Sequence, residues 1–157
     1  MKRFFMLILL VVFAVYSRAE RLKNSAWGIV KVECSLTAED ISQQSFLDSL
    51  SRTFQQKIVT PADQYVYKFT ADELIRKTKA KESHWKYKES DNNLVVDMGK
   101  GIVLIQKFEI KKDTLILEMD KSLFFLSEFG QKMDTLKSMI KDISLRYYYK
   151  KIISSTM

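Results

Sequence analysis

A single cysteine, Cys34, excludes an internal disulfide, so the stability of this 157-residue chain has to come from packing. One proline and four glycines exclude collagen-like repeats, flexible linkers and a disordered majority. One histidine, His84, excludes a histidine-rich metal cluster, and no spacing pairs it with Cys34 for nucleophilic catalysis. No low-complexity tract and no repeat at solenoid spacing interrupts the chain. Apolar residues, by contrast, make up 46% of it, with ten Phe, seven Tyr and two Trp, in a length that fits one domain with a real core.

The N-terminus reads as a targeting segment. Lys2 and Arg3 precede an uninterrupted apolar run at 4–16, and Ser17 and Ala19 put small residues at the minus three and minus one positions of a cleavage site. The run is short of the roughly 20 residues that cross a bilayer as a helix. Residues 1–19 are therefore expected to be a signal peptide, and 20–157 a single exported domain, periplasmic or secreted, with no integral span after cleavage. Cys34 lies too far inside to be a lipoprotein acceptor and reads as a small buried hydrophobe. Without Lys2, Arg3 and Arg18 the net charge of +7 falls to about +4. Lys77, Lys79, Lys81, Lys86 and Lys88 are spread as on a solvated strand face, so no nucleic-acid partner is expected.

Periodicity then sets the architecture. Tyr65, Tyr67 and Phe69 alternate with Val66 and Lys68, Trp85 and Tyr87 with Lys86 and Lys88, and Ile102, Leu104, Gln106 and Phe108 continue the pattern toward Leu115, Leu117 and Met119. A period of two predicts strands at 27–35, 64–69, 74–80, 83–89, 94–97, 102–110, 114–119 and 145–152. The first has no clean face: Trp27, Ile29, Lys31 and Glu33 fall on one side, Val30, Val32 and Cys34 on the other. Helical spacing intervenes twice. Thr37 reads as the cap of an amphipathic helix at 37–58 carrying Ile41, Leu47, Leu50, Phe54 and Ile58, ended by Pro61. A second helix is predicted at 121–144 from Leu123, Leu126, Phe129, Met133, Leu136, Ile140 and Ile143, with Gly130 a potential break. Eight antiparallel strands joined largely by hairpins are best served by closure into a barrel, which removes exposed edges.

The order Trp27, helical excursion, Tyr65-Val66-Tyr67-Lys68-Phe69-Thr70-Ala71-Asp72, Trp85-Lys86-Tyr87, Leu94-Val95-Val96 and Leu115-Ile116-Leu117 resembles the bacterial lipocalin-like domains of the calycin type. It is most similar to small exported forms that insert a helix before the last strand. The fold implied is mainly β: an eight-stranded antiparallel up-and-down lipocalin-like barrel with two added amphipathic helices. The chain departs from the lipocalin pattern in having Ser25-Ala26-Trp27 for Gly-any-Trp, and Asp72-Glu73 for Asp-Gly in the turn after the second strand.

No catalytic signature emerges, and no enzyme is expected. Glu39-Asp40 and Asp72-Glu73 sit where helix and turn capping explain them, and Gly99-Lys100-Gly101 reads as a hairpin turn. No cofactor or metal is implied. The constellation that could carry function is aromatic. If Trp27 points inward, as the resemblance implies, the interior also receives Tyr65, Tyr67, Phe69, Trp85, Tyr87, Phe108, Tyr147 and Tyr149. Rings with polar tips suit a pocket for a small hydrophobic or amphipathic ligand, and equally suit a filled core. Two functions stay open: an exported ligand-binding barrel, or a cell-envelope interaction or structural protein with a filled barrel, its partner not indicated, motivated by the amphipathic helices and the run Tyr147 to Tyr149. Amino-terminal sequencing of the exported protein is expected to start at Glu20; an intact Met1 on the exported form contradicts the signal peptide.

Overall fold

The two-residue alternation does fold as strands, and the strands close. The computed structural model describes residues 21–58, 64–119 and 136–153. The expected signal segment 1–19, the turn at Pro61 and the stretch 121–135 of the expected second helix lie outside the described residues. Strand β1 is Ser25–Ala38; a 3-10 turn at Ile41–Gln43 leads into helix α1, Gln44–Ile58. Then come β2 (Val66–Phe69), β3 (Glu73–Lys77), β4 (Glu82–Ser90), β5 (Asn93–Gly99), β6 (Ile102–Lys111), β7 (Thr114–Met119) and β8 (Ile140–Lys151). Each strand pairs antiparallel with the next, and β8 returns to β1, closing an up-and-down barrel of eight strands.

Two boundaries differ from expectation, for one shared reason. The first strand runs on through Ala38, where a helix cap at Thr37 was expected, and the last begins at Ile140, where helix 121–144 was expected to continue. These extensions are each other's partners: Leu36 faces Ile143, Thr37 faces Asp142 and Ala38 faces Ile140. Neither segment has a local reason to be extended, and the ladder between them supplies it. The register slips between Thr37 and Ala38, leaving Lys141 as an extra residue. Inward residues of β8 therefore fall at 140, 143, 145, 147 and 149. The first interval of three is what imitated helical spacing.

A second slip, between Ile29 and Lys31, leaves Val30 unpaired and exposed. It resolves the mixed faces of the first strand. Trp27 and Ile29 point inward before the bulge, Val32, Cys34 and Leu36 after it, because one extra residue inverts the phase of the alternation. The predicted third strand stops early for a local reason: the Thr78 N–H donates to the Lys81 carbonyl, and Thr78 Oγ1 accepts from the Lys81 N–H, each at 2.9 Å. At the far hairpin Gly99, Lys100 and Gly101 all have positive φ, between 54° and 79°, while a Cβ on either glycine would meet nothing. Conformation, not space, selects glycine there.

Strand β1 pairs with β2 only over Ser25–Gly28, so among the described residues its second edge is free of strands beyond Ile29. Helix α1 covers that edge. Gln44 Nε2 donates to the Leu36 carbonyl at 2.8 Å, Gln44 Oε1 accepts from the Ala38 N–H at 2.9 Å, and Gln55 Nε2 donates to the Cys34 carbonyl at 2.8 Å. The helix begins at Gln44 because the preceding residues are held otherwise: Asp40, extended at φ −109°, accepts from the Ser42 N–H and caps the 3-10 turn. Of the expected apolar stripe, Leu47 is fully buried and Leu50 and Phe54 pack on the core, whereas Ile41 stands exposed. Replacing Leu47 by Ala is expected to lower the unfolding free energy by about 2–5 kcal/mol. A urea titration showing less than half a kcal/mol would mean the helix does not seal the barrel.

Candidate functional site

The strand registers define two ends of the barrel, and burial differs between them. At the near end lie the turns after β2, β4 and β6 and the start of β1. Leu22, Phe69, Leu94 and Leu115 have no accessible surface there, and Trp27 is only 1% exposed. The Trp27 indole donates to Ser25 Oγ at 2.6 Å, and Ser25 Oγ donates in turn to the Leu22 carbonyl, so the buried polar atoms of this seal are satisfied. The Arg21 guanidinium lies 4.9 Å from the Phe108 ring centroid, over the same end.

Toward the other end the inward faces of β2, β4, β6 and β8 keep accessible surface: Tyr67, Trp85, Leu104 and Tyr147 are partly buried against the core, as is Tyr87 beside the near-end turn after β2. All nine aromatic residues expected inside thus belong to one core cluster, Trp27, Tyr65, Phe69, Phe108 and Tyr149 fully and the other four in part. They divide the work. Trp27 and Phe108 help seal the near end, and the tyrosines form a ring-to-ring chain across the middle. Tyr65 and Tyr67 meet edge to face at 5.0 Å, Tyr67 and Tyr149 at 5.3 Å, and Phe69 and Tyr87 edge to face at 5.1 Å. The Tyr65 and Tyr149 hydroxyls are 2.8 Å apart, and the Tyr87 hydroxyl donates to the Thr70 carbonyl at 2.9 Å.

The middle tyrosine of the run, Tyr148, faces out. Tyr148 donates to Glu33 Oε2 at 2.6 Å with Lys31 Nζ 5.4 Å from its ring, and Lys31 pairs with Glu33, so its outward face is covered by its own chain. His84 also stands on the outer face, its Nδ1 3.2 Å from Glu73 and its Nε2 3.9 Å from Glu82. Cys34 is buried beside Ser51, and burial pushes its thiol up, away from the reactive thiolate. Two grooves of about 490 and 390 Å³ lie elsewhere, one reached by Ile105, Lys107 and Asp142 and the other by Arg21, Asn92 and Glu109. Neither contains any of the tyrosines, and part of their charged lining is already engaged, as in the Arg146–Glu118 pair at 2.8 Å.

Sequence reasoning missed one inward residue. Arg76 follows Leu74 by two positions on β3 and faces Tyr67 across the ladder, with its guanidinium carbon 4.3 Å from the Tyr65 ring centroid. The alternation that placed Leu74 inside also placed Arg76 there, but a basic residue among scattered lysines reads as solvated surface. No protein-family model, curated protein or solved structure matches the chain, so this geometry carries the functional argument by itself.

Burial, and then the neighbouring tyrosines, push Tyr65 and Tyr149 well above the ordinary tyrosine range. Burial likewise raises Tyr67 and Tyr147. The folded state therefore holds protons that the unfolded state releases once pH passes the ordinary tyrosine value of about 10. The stability these groups contribute is fully present below that value and falls as pH rises toward the folded-state values. Phenolate absorbance is expected to show these tyrosines ionising only together with alkaline unfolding. Smooth ionisation of all tyrosines near pH 10 in a protein that stays folded would contradict the buried cluster.

Proposed function

We propose that the protein is a non-enzymatic, exported, lipocalin-like barrel that binds a small hydrophobic or amphipathic molecule in its interior. One observation carries this reading: a barrel sealed at one end keeps accessible aromatic surface on the inward faces toward the other, at Tyr67, Trp85 and Tyr147. A barrel of eight strands has room for packed side chains or one small ligand. A filled interior would be expected to bury these faces as completely as Phe69, Leu94 and Leu115 are buried. Large apolar rings with a few polar tips are also what ligand cavities are commonly lined with, since area supplies affinity and the polar groups fix orientation.

Filling the space is the direct test. Leu104 sits on the inward face of β6, partly buried. The Leu104→Trp protein is expected to bind a neutral naphthylamine fluorophore at least roughly tenfold more weakly than the unaltered protein, a change of about 1.4 kcal/mol. Its far-ultraviolet spectrum and cooperative melting should persist. Equal binding by the folded variant would place the fluorophore outside the barrel and remove the basis of this proposal.

A further inference from the structure

Arg76 is the interior residue that packing does not explain. Its Nε is buried without a hydrogen-bond partner, and none of the ion pairs among the described residues includes it. The residue as a whole is partly buried, and a guanidinium N–H taken from water without an acceptor is costly unless another group compensates. The Tyr65 ring compensates in part, since a guanidinium carbon 4.3 Å from its centroid is attracted to the π face. A stacked ring, however, leaves the in-plane Nε–H without an acceptor.

Among the described residues the surrounding wall supplies no counter-charge. Tyr65, Tyr67 and Tyr147 all lie in the field of Arg76, but tyrosine hydroxyls are protonated at neutral pH and burial raises them further, so they offer at most neutral acceptors. Across the ladder Arg76 faces Tyr67 on one side and Ser83 on the other, neither an anion. The result, among the described residues, is a positive charge on the inward wall, next to partly accessible aromatic surface and with its buried Nε–H unused. A guanidinium fork in such a place matches a planar or tetrahedral oxyanion with two parallel bonds.

We propose that the interior ligand is an amphipathic anion, its carboxylate or phosphate group seated on Arg76 and its apolar body lying toward Trp85 and Leu104. This rests on the interior-ligand reading above and adds the chemical class of the ligand. Arg76 then has a binding role that opposes stability in the empty protein: it holds a poorly compensated charge until the anion arrives.

The test compares dodecanoate, dodecyl phosphate and dodecanol by calorimetric titration of the full protein and of Arg76→Met and Arg76→Lys. The unaltered protein is expected to bind at least one of the two anions about tenfold or more tighter than dodecanol, the effect of charge-assisted hydrogen bonds. Which anion binds better distinguishes a carboxylate from a phosphate source. Arg76→Met should lose the preference and keep dodecanol binding, and Arg76→Lys, a point charge without the fork, should keep a reduced preference. Without ligand, Arg76→Met should melt at the same temperature as the unaltered protein or higher, since it removes a charge without a full partner. A lower melting temperature for Arg76→Met with the anion preference intact would make Arg76 a structural residue and overturn the proposal. Equal affinity of the unaltered protein for the anions and dodecanol would overturn the anion seat and leave the interior site standing. Failure of the folded protein to bind any of the three would overturn both.

Discussion

The ladder between β1 and β8 is the interaction on which the remaining structure depends. It joins the first and last described strands, so without it the other strand pairs form an open sheet with two edges. Closure decides that the inward faces have an inside to face. It sets Tyr149 opposite Ile29 and Tyr147 opposite Val32, which carries the last tyrosines to the strand that pairs with Tyr67. The two slips in this ladder do not weaken it. By inverting the alternation at Val30 and again at Lys141, they keep apolar side chains inside along strands too long for an unbroken period of two.

The short seam between β1 and β2 follows from the same geometry. Because β1 outruns β2, its far half exposes backbone groups that need partners, and Gln44 and Gln55 of α1 meet them. The helix is thereby tied to the barrel by backbone bonds as well as by Leu47, and Cys34 and Ser51 become buried beneath it. A polar side chain at each end of the helix does what a further strand would otherwise do.

Inside, the polar atoms fall into two kinds. Those near the sealed end are closed into bonds, Trp27 to Ser25, Ser25 to Leu22 and Tyr87 to Thr70, and so is the pair Tyr65 and Tyr149 across the middle. Such bonds rigidify the wall at little net cost, because each buried donor has its acceptor. Arg76 is of the other kind, stacked on one ring but short of acceptors. Local conflict of this sort, in a molecule whose other levels agree, is where a functional site is to be looked for.

Much of this was legible in the sequence, and the rest was not, for a physical reason. The alternation of Tyr65, Tyr67 and Phe69, of Trp85 and Tyr87 and of Leu115 and Leu117 marked strands and their inward faces, since a period of two is a local property that burial on one side imposes. The hairpin turn at Gly99-Lys100-Gly101 was equally local, since glycine tolerates positive φ. By itself the sequence determined an antiparallel array with an aromatic face. Only the tertiary structure decided that Leu36, Thr37 and Ala38 are strand, because their partners stand more than a hundred residues away and are themselves ambiguous without them. It also decided the fate of Arg76. A lysine or arginine in a strand declares its charge but not which wall it will stand on, and that depends on where the barrel closes.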